Sequence, residues 1–99
     1  MPQTLTNWRA RWQERQEAEL AEALRRVRLI EINSERGPRE ELEARHVQVW
    51  DTDELAREFD VEGFMAPFIV VRRKADGVVG SLEFQHSPRF YFNFKEDRR

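Results

Sequence analysis

Four groups of side chains in this sequence are of types that could do chemistry. They are His46 and His86, Ser87 beside the second of them, the carboxylates between Asp51 and Glu62, and the basic triplet Arg72, Arg73 and Lys74. A serine nucleophile needs a base within hydrogen-bond reach. Neighbours on an extended chain point to opposite sides, however, so His86 is poorly placed to act on Ser87, and the pair reads better as part of a hydrogen-bonded turn. The sequence has no glycine-rich phosphate loop, no HExxH and no GxSxG, and the two histidines stand far apart. It also has no cysteine, which removes thiolate nucleophiles, disulfides and thiolate metal sites together.

The acidic run "DTDELAREFDVE" carries Asp51, Asp53, Glu54, Glu58, Asp60 and Glu62 against Arg57, a net of 1 − 6 = −5. Asp51-x-Asp53 offers the oxygen ligands that Mg²⁺ or Ca²⁺ prefer, but without the glycine and terminal glutamate of an EF-hand loop. Carboxylates in the first turn of a helix are stabilised by its dipole, and Glu54 stands in the capping-box position after Asp51. Asp60 and Glu62 read as solvated residues of a connecting loop. No metal site, cofactor site or catalytic residue is therefore expected.

Two stretches suggest binding instead. Residues 67–95 carry Arg72, Arg73, Lys74, Arg89 and Lys95 against Asp76 and Glu83, a net of 5 − 2 = +3. With Tyr91 these cations could contact the phosphates and bases of a nucleic acid, although the whole chain is at −2 and gives no general reason to expect that. The acidic and basic segments could also pair with each other, within one chain or between two. The second stretch is "TNWRARWQER", where Trp8 and Trp12 stand one helical turn apart among Arg9, Arg11 and Arg15. Tryptophan and arginine are enriched in interface hot spots.

The elements that position these residues follow from periodicity. Leu5, Trp8, Trp12, Leu20, Ala23, Leu24, Val27 and Ile30 recur mostly at three- and four-residue steps, which predicts an amphipathic helix over 1–33. "VRLIEIN" also alternates at period two, so residues 27–33 read as either helix or strand. Gly37 and Pro38 break the chain, and short helices with a short strand at 46–50 fill 38–58. From 67 to 95 the pattern is a β-meander: "FIVVRRK" and "VVGSLEF" flank "ADG", and "HSP" turns into "RFYFNFK". Period two places Phe90, Phe92 and Phe94 on one face as a core wall and Tyr91 on the other, facing outward.

The expected fold is one α+β domain of 99 residues, a long helix covering a three- to four-stranded antiparallel sheet. A helix of that length overhangs such a sheet, leaving Leu5, Trp8 and Trp12 without cover unless "VEGFMAPF" folds back over them. The start lacks the apolar run of a signal peptide and no stretch reads as a membrane span, so a cytoplasmic protein is expected. The function expected is non-enzymatic: a protein-interaction or accessory subunit, binding itself as a homo-oligomer or another protein through Trp8, Trp12 and Tyr91. The alternative is a nucleic-acid module using Arg72, Arg73, Lys74, Arg89 and Lys95.

Overall fold

A computed structural model describes the backbone of residues 2–97 and the side chains of residues 14–97. In chain order the elements are α1 (Pro2–Ser34), α2 (Arg39–Arg45), β1 (Val49–Trp50), α3 (Thr52–Glu58), β2 (Phe59–Met65), β3 (Phe68–Arg73), β4 (Val79–Gln85) and β5 (Phe90–Glu96). The strands form one antiparallel sheet in the order β1-β5-β4-β3-β2. The fold is α+β, as the periodicities require, with five strands rather than three or four. Residues 27–33 are helical, because nothing ends α1 before Ser34.

The extra strand is β2, which the sequence presents as an acidic loop. Its charges are answered across the strand pair and beyond it: Arg72 Nε donates to Glu62 Oε1 at 2.7 Å, and Lys74 Nζ stands 3.8 Å from Asp60. The acidic and basic segments thus pair within one chain, and β2 is an edge strand whose carboxylates also discourage further strand addition. Two further residues of the acidic run cap α3. Asp51 accepts from the Glu54 backbone N–H at 2.7 Å, and its own N–H donates to Glu54 Oε1 at 3.0 Å. Hydrogen bonds from Arg39, and next from the Asp51 backbone, hold the Glu54 carboxyl down to about 2.

Two bulges curl the sheet. Between Val61 and Gly63 strand β2 carries an extra residue, and so does β5 opposite Leu82, where Asn93 adopts φ 57°. A single extra residue reverses the faces of everything after it. Phe94 therefore lies with Tyr91 and not with Phe92. Gly80 makes room for it, since a Cβ there would strike the Phe94 ring and the Lys95 carbonyl. The curl is strong enough for the two outer strands to touch through side chains: Trp50 of β1 meets Phe59 of β2 edge-on, with centroids 5.4 Å apart. Phe59 also lies 5.3 Å from Phe94.

The concave face so formed buries Trp50, Leu55, Phe59, Ile69, Val71, Leu82, Phe84 and Tyr91. Ile69, Val71 and Leu82 are wholly inaccessible although only the seven-residue α3 lies near, because the strands fill their own concavity. The opposite face holds a smaller cluster of Ile32, Leu42, Val49 and Phe92, with Phe90 against it. This corrects the expectation for β5. Tyr91 is 2% exposed and belongs to the main core, and the three phenylalanines do not share a face. Tyr91→Ala and Phe92→Ala should each lower unfolding free energy by roughly 3 kcal/mol or more, since each leaves a large cavity on its own face. Urea denaturation measures both, and a Tyr91→Ala loss below about 1 kcal/mol would mean the ring faces solvent.

Candidate functional site

Helix α1 has 33 residues and is about 50 Å long at 1.5 Å per residue. Among the described residues, the contacts that fix it to the sheet lie near its C-terminal end. Arg28 grips Glu83 in the middle of β4 with two donors, Nε to Oε2 at 2.6 Å and Nη2 to Oε1 at 2.8 Å. Asn93 Nδ2 adds a third bond to Glu83 Oε1 at 2.6 Å, and Arg28 Nη1 reaches Glu31 at 2.9 Å. One turn earlier, Arg25 Nε donates to the Ala66 carbonyl at 3.2 Å, and one turn later Ile32 enters the smaller core cluster.

At about 100° per residue, Arg25, Arg28 and Ile32 lie along one side of α1. Leu20, Leu24, Val27 and Ile30 lie on the other. Those four side chains are between 52 and 68% exposed, forming a continuous apolar row with nothing of the described chain against it. The helix docks by its charged side and turns its apolar side outward, the reverse of the usual arrangement. The side chains of Leu5, Trp8 and Trp12 lie outside those described. "VEGFMAPF" meets the helix at Ala66, whose carbonyl accepts from Arg25. It supplies most of β2 and the turn into β3.

The other sequence candidates are dispersed. Arg73 is held by Asp76 at 2.7 Å, and Arg72 and Lys74 meet Glu62 and Asp60, so the hairpin tip is largely neutralised. Arg89 and Lys95 sit at opposite ends of β5, and Tyr91 between them is buried. His46 stacks on Phe92 at 4.3 Å with Nδ1 3.1 Å from Asn93 Oδ1, and His86 Nδ1 lies 3.3 Å from Arg89. Among the described residues, neither imidazole is hydrogen-bonded to a hydroxyl. Among the described residues no three His, Asp or Glu side chains converge as metal ligands. In a cleft of about 300 Å³ beside Trp50, Phe59 and Phe94, Trp50 Nε1 donates to Glu58 at 2.8 Å and Arg73 is engaged by Asp76.

Arg28 and Glu83 were invisible to sequence reasoning, because 55 residues separate them and no local spacing relates them. The class of structure is thus a curled five-stranded antiparallel sheet with a long helix clamped across its outer face by an ion pair. No protein-family model matches the chain, and no curated protein or solved structure matches it. No described helix is long and apolar enough to cross a membrane.

The clamp is pH-sensitive in a defined direction. Burial pushes the Glu83 carboxyl up, but hydrogen bonds from Arg28 and then Asn93 outweigh it, leaving the group below its usual 4.5. A carboxyl depressed in the folded state adds stability above its unfolded pKa and loses it as pH falls through the folded one. Glu83→Gln should cost roughly 2 to 3 kcal/mol at neutral pH, less than for a fully buried pair because Arg28 keeps some contact with water. The gap between wild type and variant should narrow as pH falls below the carboxyl's unfolded value, read by urea denaturation at neutral pH and at pH 3. A gap that stays constant would mean the carboxylate's charge contributes nothing.

Proposed function

We infer that the protein is a small non-enzymatic interaction module that self-associates through the outward side of α1. The observation that carries this reading is the exposed row Leu20, Leu24, Val27 and Ile30 on the side of the helix away from its own sheet. Exposed aliphatic side chains at single positions are ordinary, whereas a continuous row along a helix is not.

The row favours a second copy of the same chain running antiparallel. Positions 5, 8, 12, 16, 19, 23, 27 and 30 are separated by steps of 3, 4, 4, 3, 4, 4 and 3, which read the same in both directions. An antiparallel pair with its two-fold axis between Glu17 and Ala18 sets Leu5 against Ile30, Trp8 against Val27, Trp12 against Ala23 and Gln16 against Glu19. Leu20 and Leu24 then oppose the aliphatic stems of Arg15 and Arg11. Arg15 of each copy comes within one residue of the point opposite Glu19, whereas a parallel pair in register would set Arg15 on Arg15 and Glu19 on Glu19. Two tryptophans at up to about 250 Å² each, with five aliphatic residues, make a surface on the order of 800 Å² per copy, the size of a standard interface.

The nucleic-acid reading is less well supported, because the hairpin cations have carboxylate partners and Tyr91 is buried. The test is solution mass. Wild type should be dimeric by light scattering at micromolar concentration. Leu24→Glu with Val27→Glu should yield a folded monomer, since both positions are exposed and make no core contact. Trp8→Ala with Trp12→Ala should weaken association as well. A wild type that stays monomeric at high micromolar concentration ends this reading.

A further inference from the structure

The side chain of Gln85, at the end of β4, is 1% exposed and makes three hydrogen bonds. Nε2 donates to the carbonyls of Gly37 and Pro88, both at 2.8 Å, and Oε1 accepts from the Gly37 N–H at 3.2 Å. It thereby ties the connection between α1 and α2 to the turn between β4 and β5. A buried amide with its donors and acceptor satisfied holds two loops in a fixed relation. The residue before Gly37 is Arg36, and the residue after Pro88 is Arg89. The clamp therefore brings together two cations that 53 positions of sequence separate.

Both arginines line an open cleft of about 520 Å³ with Leu29, Asn33, Phe84 and His86. No carboxylate lines it. Arg25, Arg28, Arg39, Arg45, Arg72 and Arg73 all have carboxylate partners, whereas among the described residues neither Arg36 nor Arg89 has one. The Arg89 guanidinium instead lies over the Phe84 ring, 5.0 Å from its centroid, and reaches His86 Nδ1 at 3.3 Å. A guanidinium only donates, so Nδ1 accepts and the imidazole keeps its Nε2–H as a further donor. The cleft thus combines donors without acceptors of negative charge, the Asn33 amide, and an apolar floor of Leu29 and Phe84.

We propose that this cleft binds a small organic anion, a phosphate or carboxylate group carried on an apolar or aromatic body. The charged end is held between Arg36 and Arg89, in the fork geometry that guanidinium groups offer such oxyanions, and the body lies on the floor. Its size falls within the usual range of small-molecule sites. This site is independent of the self-association of α1.

The experiment is a titration of the isotopically labelled full chain followed by amide NMR, with phenyl phosphate as probe and benzoate, inorganic phosphate and benzyl alcohol as comparators. Phenyl phosphate should give saturable shifts at Gly37, His86 and Arg89, with benzoate acting at the same amides if a carboxylate serves as well. Arg36→Gln and Arg89→Gln should each weaken binding about tenfold or more. Both positions lie outside the core, so the variants remain folded, and Arg57→Gln on α3, which does not line the cleft, should leave binding unchanged. The proposal is overturned if phenyl phosphate gives no saturable shift, if either cleft variant binds as wild type does, or if Arg57→Gln weakens binding equally. It is also overturned if inorganic phosphate or benzyl alcohol matches phenyl phosphate, because one of the two halves of the site would then do nothing.

Discussion

The curl of the sheet is the constraint from which the other features follow. Five strands laid flat would present two broad apolar faces and would need a helix on at least one of them. Here the bulges at Glu62 and Asn93, with Gly80 opposite Phe94, bend the sheet until Trp50 and Phe59 meet across it. The concave side then closes on its own side chains with help from Leu55 alone among the helical residues. What remains on the outer side is a small cluster that Ile32 and Leu42 suffice to cover.

That economy frees α1 from the task of covering a core. Hydrophobic burial rotates a helix so that its apolar stripe faces inward, typically by several kcal/mol over a few residues. With so little apolar sheet to meet, the inward side of α1 is set by Arg28 and Glu83 instead. A partly buried ion pair adds little net stability, because desolvation offsets most of the Coulombic gain, but a mispaired partner is costly. Such a pair is weak as glue and strong as a register. It fixes which side of the helix faces the sheet and leaves the apolar row of Leu20, Leu24, Val27 and Ile30 exposed.

Much of this was legible in the sequence where the signal is local. The long helix, the capping box at Asp51 and Glu54, and the hairpin with Gly77 at φ 74° all rest on spacings within a few residues. The failures have separate causes. A bulge is a single extra residue without compositional mark, so period two carried Phe94 to the wrong face and put Tyr91 outside the core. Strand β2 reads as a loop in the sequence because Asp60, Glu62 and Gly63 depress strand propensity, and the cations that answer two of them lie beyond a turn. As for the sites, the row on α1 was visible as a periodicity but its outward orientation was not. Arg36 and Gln85 carried no signal, since only folding sets them beside Arg89.

Strand β4 links these features. Glu83 and Gln85 stand two positions apart on one face of that strand, and each reaches out of the sheet to a different part of the same outer layer. Glu83 sets the rotation of α1 through Arg28, and Gln85 sets the exit of the same helix through Gly37. The eight residues between Arg28 and Gly37 are thereby held at both ends by one rigid strand. The apolar row and the cationic cleft are consequently fixed in relation to each other, although they share no side chain. A change at Glu83 releases the rotation of α1 and disturbs the row first, whereas a change at Gln85 separates Arg36 from Arg89 while the Arg28 clamp still holds the helix. The two surfaces are therefore separable by mutation even though one strand aligns both.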